Sequence, residues 1–299
     1  MYRRLKAVAV FSALMVLASC AHRSPFQDEY YFQAMGEDGE IVITADANAL
    51  RSSSMGILPA EGAAGTLASK AERISVALDP MTEDVYPLPV DQYVMYGAFE
   101  GDYGKFPINT ALSWSKEFKK AKEDGVRYYR SEELGLEAAV PQNGILLFSS
   151  DSYADAYRKT ISSRSQLIDF DTARLMAEAG AAVYLSSPKT LMDIGFELPQ
   201  TVLNQIVRCL FLVDESDSVS YISGRFEMKD KSAARSMVTL LKNQLIQKIK
   251  RQGGKLDTKA LASLFTYEDS IVTIKDMEMD QEMNASIKGI VSKAAGGLL

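Results

Sequence analysis

A self-similarity between the two halves of the chain restricts its fold more than any other feature. Gly97-Ala98-Phe99-Glu100 lies over Gly224-Arg225-Phe226-Glu227. Asn143-Gly144-Ile145-Leu146 lies over Asp269-Ser270-Ile271-Val272 at the same shift to within one residue, and Ile161 then falls on Ile287. A helix and two strands held at a near-constant offset predict a duplicated β-α-β-β-α-β-α unit whose copies pack on one another. Convergence of two similar units is the alternative. The fold class expected is α+β, with two similar subdomains, residues 40–165 and 181–299. Each is a largely antiparallel sheet covered by helices, and residues 166–180 form a helical connector.

Strands are expected at Ile41–Ala45, Arg73–Leu78, Gln92–Glu100, Val126–Arg130, Leu134–Val140 and Ile145–Phe148. In the second half they are expected at Ala182–Leu185, Ile206–Val213, Ser218–Glu227 and Ile271–Ile274. Asp46 is placed to cap a short helix through Leu50, and Pro59–Ser69 reads as a loop. Ala111, Trp114, Phe118 and Ala121 recur at spacings of three and four. They predict a helix from Asn109 to Asp124 with Gly125 just past its end. Further helices are expected at Asp151–Ile161, Asp171–Ala179, after Pro188, at Lys229–Lys250 and at Asp280–Val291.

With 299 residues, 47% apolar and 24% charged, the chain is long enough and apolar enough for a real core. Its net charge of −6 argues against nucleic acid as a partner. Cys209 lies in the apolar run Ile206–Val213, where a buried, inert thiol is expected.

The chemistry available to the body is limited by its single histidine, His22, near the N-terminus. That leaves no Ser-His-Asp or Cys-His site in the body and no histidine ligand for zinc there. Ser113-Trp114-Ser115-Lys116 and Ser186-Ser187-Pro188-Lys189 match Ser-x-x-Lys, but Lys189-Thr190-Leu191 departs from the Lys-Thr-Gly that should accompany it. Acids cluster at Glu132, Glu133 and Glu137, at Asp151 and Asp155, at Asp169 and Asp171, and at Asp214–Asp217. None has the spacing of a calcium loop, and turns and helix caps are the expected roles. Cations at Lys229, Lys231, Arg235, Lys242, Lys248, Lys250, Arg251 and Lys255 scatter around a helix, as on a solvated one. No catalytic residue, metal or cofactor is expected. The competing class is a hydrolase of envelope polymers, with Glu132, Glu133 and Glu137 as its acids.

The N-terminus carries the remaining signal. Arg3, Arg4 and Lys6 precede an apolar run from Ala7 to Leu17, which ends in Leu17-Ala18-Ser19-Cys20. A cationic start, a short apolar run and a small-residue cleavage site make a secretory signal, too short to span a bilayer. The last four residues resemble the lipobox of bacterial lipoproteins. That resemblance implies cleavage before Cys20 and acylation of its sulfur and its amine. Several chains anchor stably where one binds only marginally. Ala21, where an aspartate favours the inner membrane, implies the outer membrane. Residues 20–39 then form a tether, with the Tyr30-Tyr31-Phe32 cluster docking onto the body. The function expected is that of a lipid-anchored, non-enzymatic envelope protein. It would be held at the membrane through its N-terminal lipid and bind an envelope protein partner or a small apolar ligand. A purely structural role in envelope assembly is the further alternative.

Overall fold

The computed structural model describes residues 31–35, 40–52, 69–81, 92–162, 168–191, 198–216, 219–251 and 258–279. The signal, residues 59–68 of the loop expected at Pro59–Ser69, and the expected helix Asp280–Val291 lie outside them. In chain order the elements begin with α1 (Tyr31–Met35), β1 (Ile41–Asp46), α2 (Ala47–Ser52), β2 (Ala71–Pro80), β3 (Tyr93–Gly101) and α3 (Lys105–Trp114). Next come β4 (Lys119–Glu123), β5 (Val126–Ser131), β6 (Leu136–Gln142), β7 (Ile145–Ser149) and α4 (Tyr153–Tyr157), which runs into a π-turn at Arg158–Ser162. The second half has α5 (Phe170–Glu178), β8 (Ala181–Leu185), a 3₁₀ turn (Pro188–Leu191), α6 (Gln200–Leu203), β9 (Ile206–Ser216) and β10 (Val219–Met228). It ends with α7 (Lys231–Arg251), α8 (Thr258–Leu264), β11 (Phe265–Glu268) and β12 (Ile271–Glu278).

The strands form one sheet in the order β11-β12-β10-β9-β8-β1-β2-β3-β7-β6-β5-β4, and its pairs are antiparallel. The α+β class read from the sequence holds. The sheets of the two halves meet edge to edge at β1 and β8, where Ile43 faces Val183 at the centre of the paired stretch. On either side of that seam the same register recurs. Glu100 pairs with Ile145 and Arg73 in the first half, and Glu227 pairs with Ile271 and Arg208 in the second. Loop bonds recur too: Gly101 N–H donates to Gly144 O at 3.0 Å, and Met228 N–H donates to Ser270 O at 2.9 Å. A helix precedes β1 and β8 alike, and α3 and α7 follow β3 and β10.

Side chains alternate between two apolar layers because successive strand residues face opposite sides. One layer runs the length of the sheet and includes Ile43, Ile74, Phe148, Cys209, Phe211 and Phe226. It is closed in the second half by α7 through Ala234, Met237, Val238 and Leu241. Phe211 and Phe226 meet edge to face with centroids 5.3 Å apart. The other layer holds Val42, Ala77, Leu147, Tyr184 and Leu210 under α1, α4 and α5. Tyr31, Phe32 and Met35 of α1 are buried in it, so Tyr31 and Phe32 dock on the body as expected. Burying each such side chain contributes about 1.5–3 kcal/mol.

The helix expected from Asn109 to Asp124 is corrected. It starts four residues earlier, at Lys105, and ends at Trp114, where Ser115 turns extended. Phe118 and Ala121 belong instead to a link and to β4. Asp124 (φ 48°) and Gly125 (φ 86°) form the tight turn of a β4–β5 hairpin, with Glu123 opposite Val126. Aspartate-glycine at positive φ suits the twist of two paired strands. It outweighs the helical spacing of only four apolar residues. Asn109 lies within the helix, not at its start. Its side-chain amide exchanges two hydrogen bonds with Val140, at 2.8 and 3.0 Å, where the β6–β7 register shifts before Pro141. The strand expected from Leu134 begins at Leu136, and β11, α6 and α8 had no expectation to match.

Candidate functional site

Cys20 and His22 lie outside the described residues. Of the acids proposed for hydrolysis, Glu137 is buried on β6. Its Oε1 accepts from Arg130 Nε at 2.6 Å, and its Oε2 accepts from Tyr153 N–H at 2.8 Å at the start of α4. Glu132 is exposed with Lys119 Nζ at 3.0 Å, and Glu133 is exposed in the adjoining turn. Glu137 therefore fastens α4 to the sheet, a buried role the sequence reading had not given it.

The other acids cap or pair locally. Asp169 is the N-cap of α5 and accepts from Thr172 N–H at 2.9 Å and from its hydroxyl at 2.8 Å. Burial alone would raise its pKa, but those two bonds, with Arg208 and Arg225 nearby, hold it below the usual range. Asp169→Ala is expected to cost about 1 kcal/mol, read as a lower urea midpoint with unchanged slope. Asp155 pairs with Arg158 at 2.8 Å, and Asp214 accepts from Gly180 N–H at 2.9 Å.

Ser186 Oγ donates to Glu40 O at 3.4 Å, and Lys116 lies beyond the end of the helix that carries Ser113. Neither Ser-x-x-Lys match sits on one helix as a nucleophile–base pair would. Cys209 is buried, and burial pushes its thiol up, away from reactivity. Among the described residues, no group of three or more His, Cys, Asp or Glu side chains could hold a metal ion.

Two places among the described residues hold side chains that the fold does not consume. The first is beneath α1. Glu100 is buried, and its Oε2 has no hydrogen-bond partner. Arg73, opposite it in register, donates instead to Ala177 O at 2.7 Å and to Thr44 Oγ1 at 3.3 Å. In the second half the equivalent pair, Arg208 and Glu227, is closed. Burial pushes Glu100 up to about 7; Arg73 opposes the rise and Glu72 adds to it. Tyr31, hydrogen-bonded by Gln142 at 2.7 Å, also feels the Glu100 charge.

The second is a groove of about 550 Å³ between α3 and the β4–β5 hairpin, lined by Lys105, Phe106, Asn109, Ser113, Lys120 and Tyr129. Its helix buries no residue, unlike α7 in the equivalent position. No helix among the described residues is long and apolar enough to cross a membrane.

No known protein family matches the chain, and no curated protein does. Solved structures of TP0453 do. Its crystal form I superposes with a TM-score of 0.57 at 11% identity, covering 90% of this chain and 98% of that one. Crystal form IV gives 0.56 at 12% identity, covering 87% and 96%. At such identity the likeness is one of fold.

Proposed function

We propose that the protein is a lipid-anchored, non-enzymatic component of a bacterial cell envelope, held at the outer membrane through Cys20. Its body, two copies of one α+β unit sharing a sheet, binds a partner protein or a small apolar ligand. The observation that carries this is the cationic, apolar, lipobox-like run ending at Leu17-Ala18-Ser19-Cys20 ahead of a body with its own extensive core. Anchoring raises the body's effective concentration toward anything else at that membrane. The roles found for the candidate acids support the non-enzymatic reading: Glu137 is tied to Arg130 and α4, and Glu132 to Lys119.

Crosslinking in intact cells followed by mass spectrometry tests the proposal. Recovery of an envelope protein or a lipid-like ligand in stoichiometric yield is the expected result. Degradation of an envelope polymer by the purified protein, with activity lost in Glu132→Gln or Glu137→Gln, would replace binding with hydrolysis.

A further inference from the structure

The outward face of α3 is built the wrong way round for a helix on a sheet. Phe106 is 81% exposed and Trp114 82% exposed, and Pro107 and Ala111, which share their side, are exposed as well. A helix laid on a sheet normally turns its large apolar residues inward, as α7 does with Met237, Val238 and Leu241. In α3 the inward anchors are Ile108, partly buried against the core, and the two-way bond between Asn109 and Val140. Its two aromatic side chains, Phe106 and Trp114, are left to solvent.

Cations flank this face. Lys105 stands at the helix start and Lys116 just past its end. Lys120 and Lys122 alternate onto the same side of β4, and Lys120 lines the groove with Lys105 and Phe106. All four are exposed, and none is in an ion pair with a carboxylate among the described residues. Glu117 is the acid interposed among them. The chain's net charge of −6 sets no general attraction to anionic surfaces, so this patch is a local reversal of sign.

We infer that the α3 face, with Lys105, Lys116, Lys120 and Lys122, docks on an anionic lipid bilayer surface. Tryptophan and phenylalanine settle at the boundary between headgroup and chain, where an amphipathic ring finds both water and hydrocarbon. Lysines around them meet the phosphates while their stems lie along the apolar layer. A protein partner would need a complementary apolar socket ringed by acids, whereas an anionic bilayer supplies both at once. The inference stands on the surface itself and does not require the anchor at Cys20.

Trp114 is the chain's only tryptophan and therefore reports on this face alone. The full chain, in wild-type and Cys20→Ser forms, is mixed with vesicles of phosphatidylcholine alone or with added phosphatidylglycerol. Phospholipids brominated in the acyl chains serve as quenchers. Docking predicts a blue shift and bromine quenching of Trp114 with phosphatidylglycerol in both forms, reversed by high salt. Lys120→Glu/Lys122→Glu is expected to weaken partitioning of the Cys20→Ser form about tenfold. Phe106→Ser, exposed and harmless to folding, should reduce quenching.

The inference is overturned if wild type sediments with vesicles while Trp114 keeps a water-exposed spectrum. It is also overturned if Trp114 becomes shielded only as protein concentration rises without lipid, which would mark a self-association face. Loss of stable sedimentation in Cys20→Ser bears on the anchor and leaves the Trp114 readout unaffected.

Discussion

Gly97→Ala is expected to destabilise the fold by about 3 kcal/mol, while the same change at Gly224 is expected to be nearly neutral. The two glycines occupy equivalent places in β3 and β10, Gly97 opposite Val76 of β2 and Gly224 opposite Phe211 of β9. A methyl at Gly97 would lie 2.4 Å from Phe148 Cζ and 2.5 Å from the Ser75 carbonyl oxygen. The ring could swing away, but a paired backbone carbonyl in mid-sheet cannot. At Gly224 the nearest atoms are Phe211 Cδ1 at 3.4 Å and Ile274 Cδ1 at 3.5 Å, ordinary contacts for a methyl. Replacing a strand glycine there also removes chain entropy from the unfolded state. Urea denaturation of both variants reads the difference. Equal midpoints would mean that the two halves do not pack their equivalent glycines as described.

Glu100→Gln is expected to raise stability by about 3 kcal/mol above pH 7.5 and to change it little at pH 4. The folded chain holds this carboxyl's proton up to about 7, against an ordinary value of 4.5. Between those values the native state binds a proton that the unfolded chain has released, so stability falls as pH rises. The contribution is fully present below 4.5 and gone above 7. Glutamine keeps the shape and the donor of the protonated acid and cannot ionise, so its stability curve should lack that slope. Thermal melts across pH 4 to 8 test it, and parallel curves for variant and wild type would refute the buried, unpaired carboxyl. Glu227→Gln, whose partner Arg208 closes on it, should show no such gain.

These residues also mark how far the sequence could be read. The two Gly-x-Phe-Glu stretches could be aligned in the sequence, and they fall at matching register positions: Glu100 pairs with Arg73 and Ile145, and Glu227 with Arg208 and Ile271. What no pattern in the chain disclosed was that Arg73 turns away toward Ala177 while Arg208 does not. That choice depends on α5, more than a hundred residues distant, presenting a free carbonyl. The strands were legible because runs such as Ile206–Val213 have β-branched and aromatic residues and clear stops. The long helix α7 was legible because its apolar spacing persists over 21 residues.

The α3 region failed for a physical reason. Trp114 and Ala111 do share a helix side, but it faces away from the sheet, and helical spacing cannot say which side is inward. Extending that stripe to Phe118 and Ala121 overran Ser115 and set aside the strongest local signal, Asp124-Gly125. Spacing alone therefore identified an apolar face without saying whether core or solvent meets it. The exposed lysines of β4 were equally ambiguous, since charged residues guard an edge strand as readily as they meet phosphates.

Location at a bilayer is the premise behind the proposed role, and incorporation of labelled palmitate tests it most directly. Cells producing the wild-type chain and Cys20→Ser are grown with the label, and their membranes are washed with carbonate. Lipid anchoring predicts label on the wild type, none on Cys20→Ser, and release of the variant into the wash. An unlabelled wild-type protein, or a variant that resists the wash as firmly as the wild type, would contradict it.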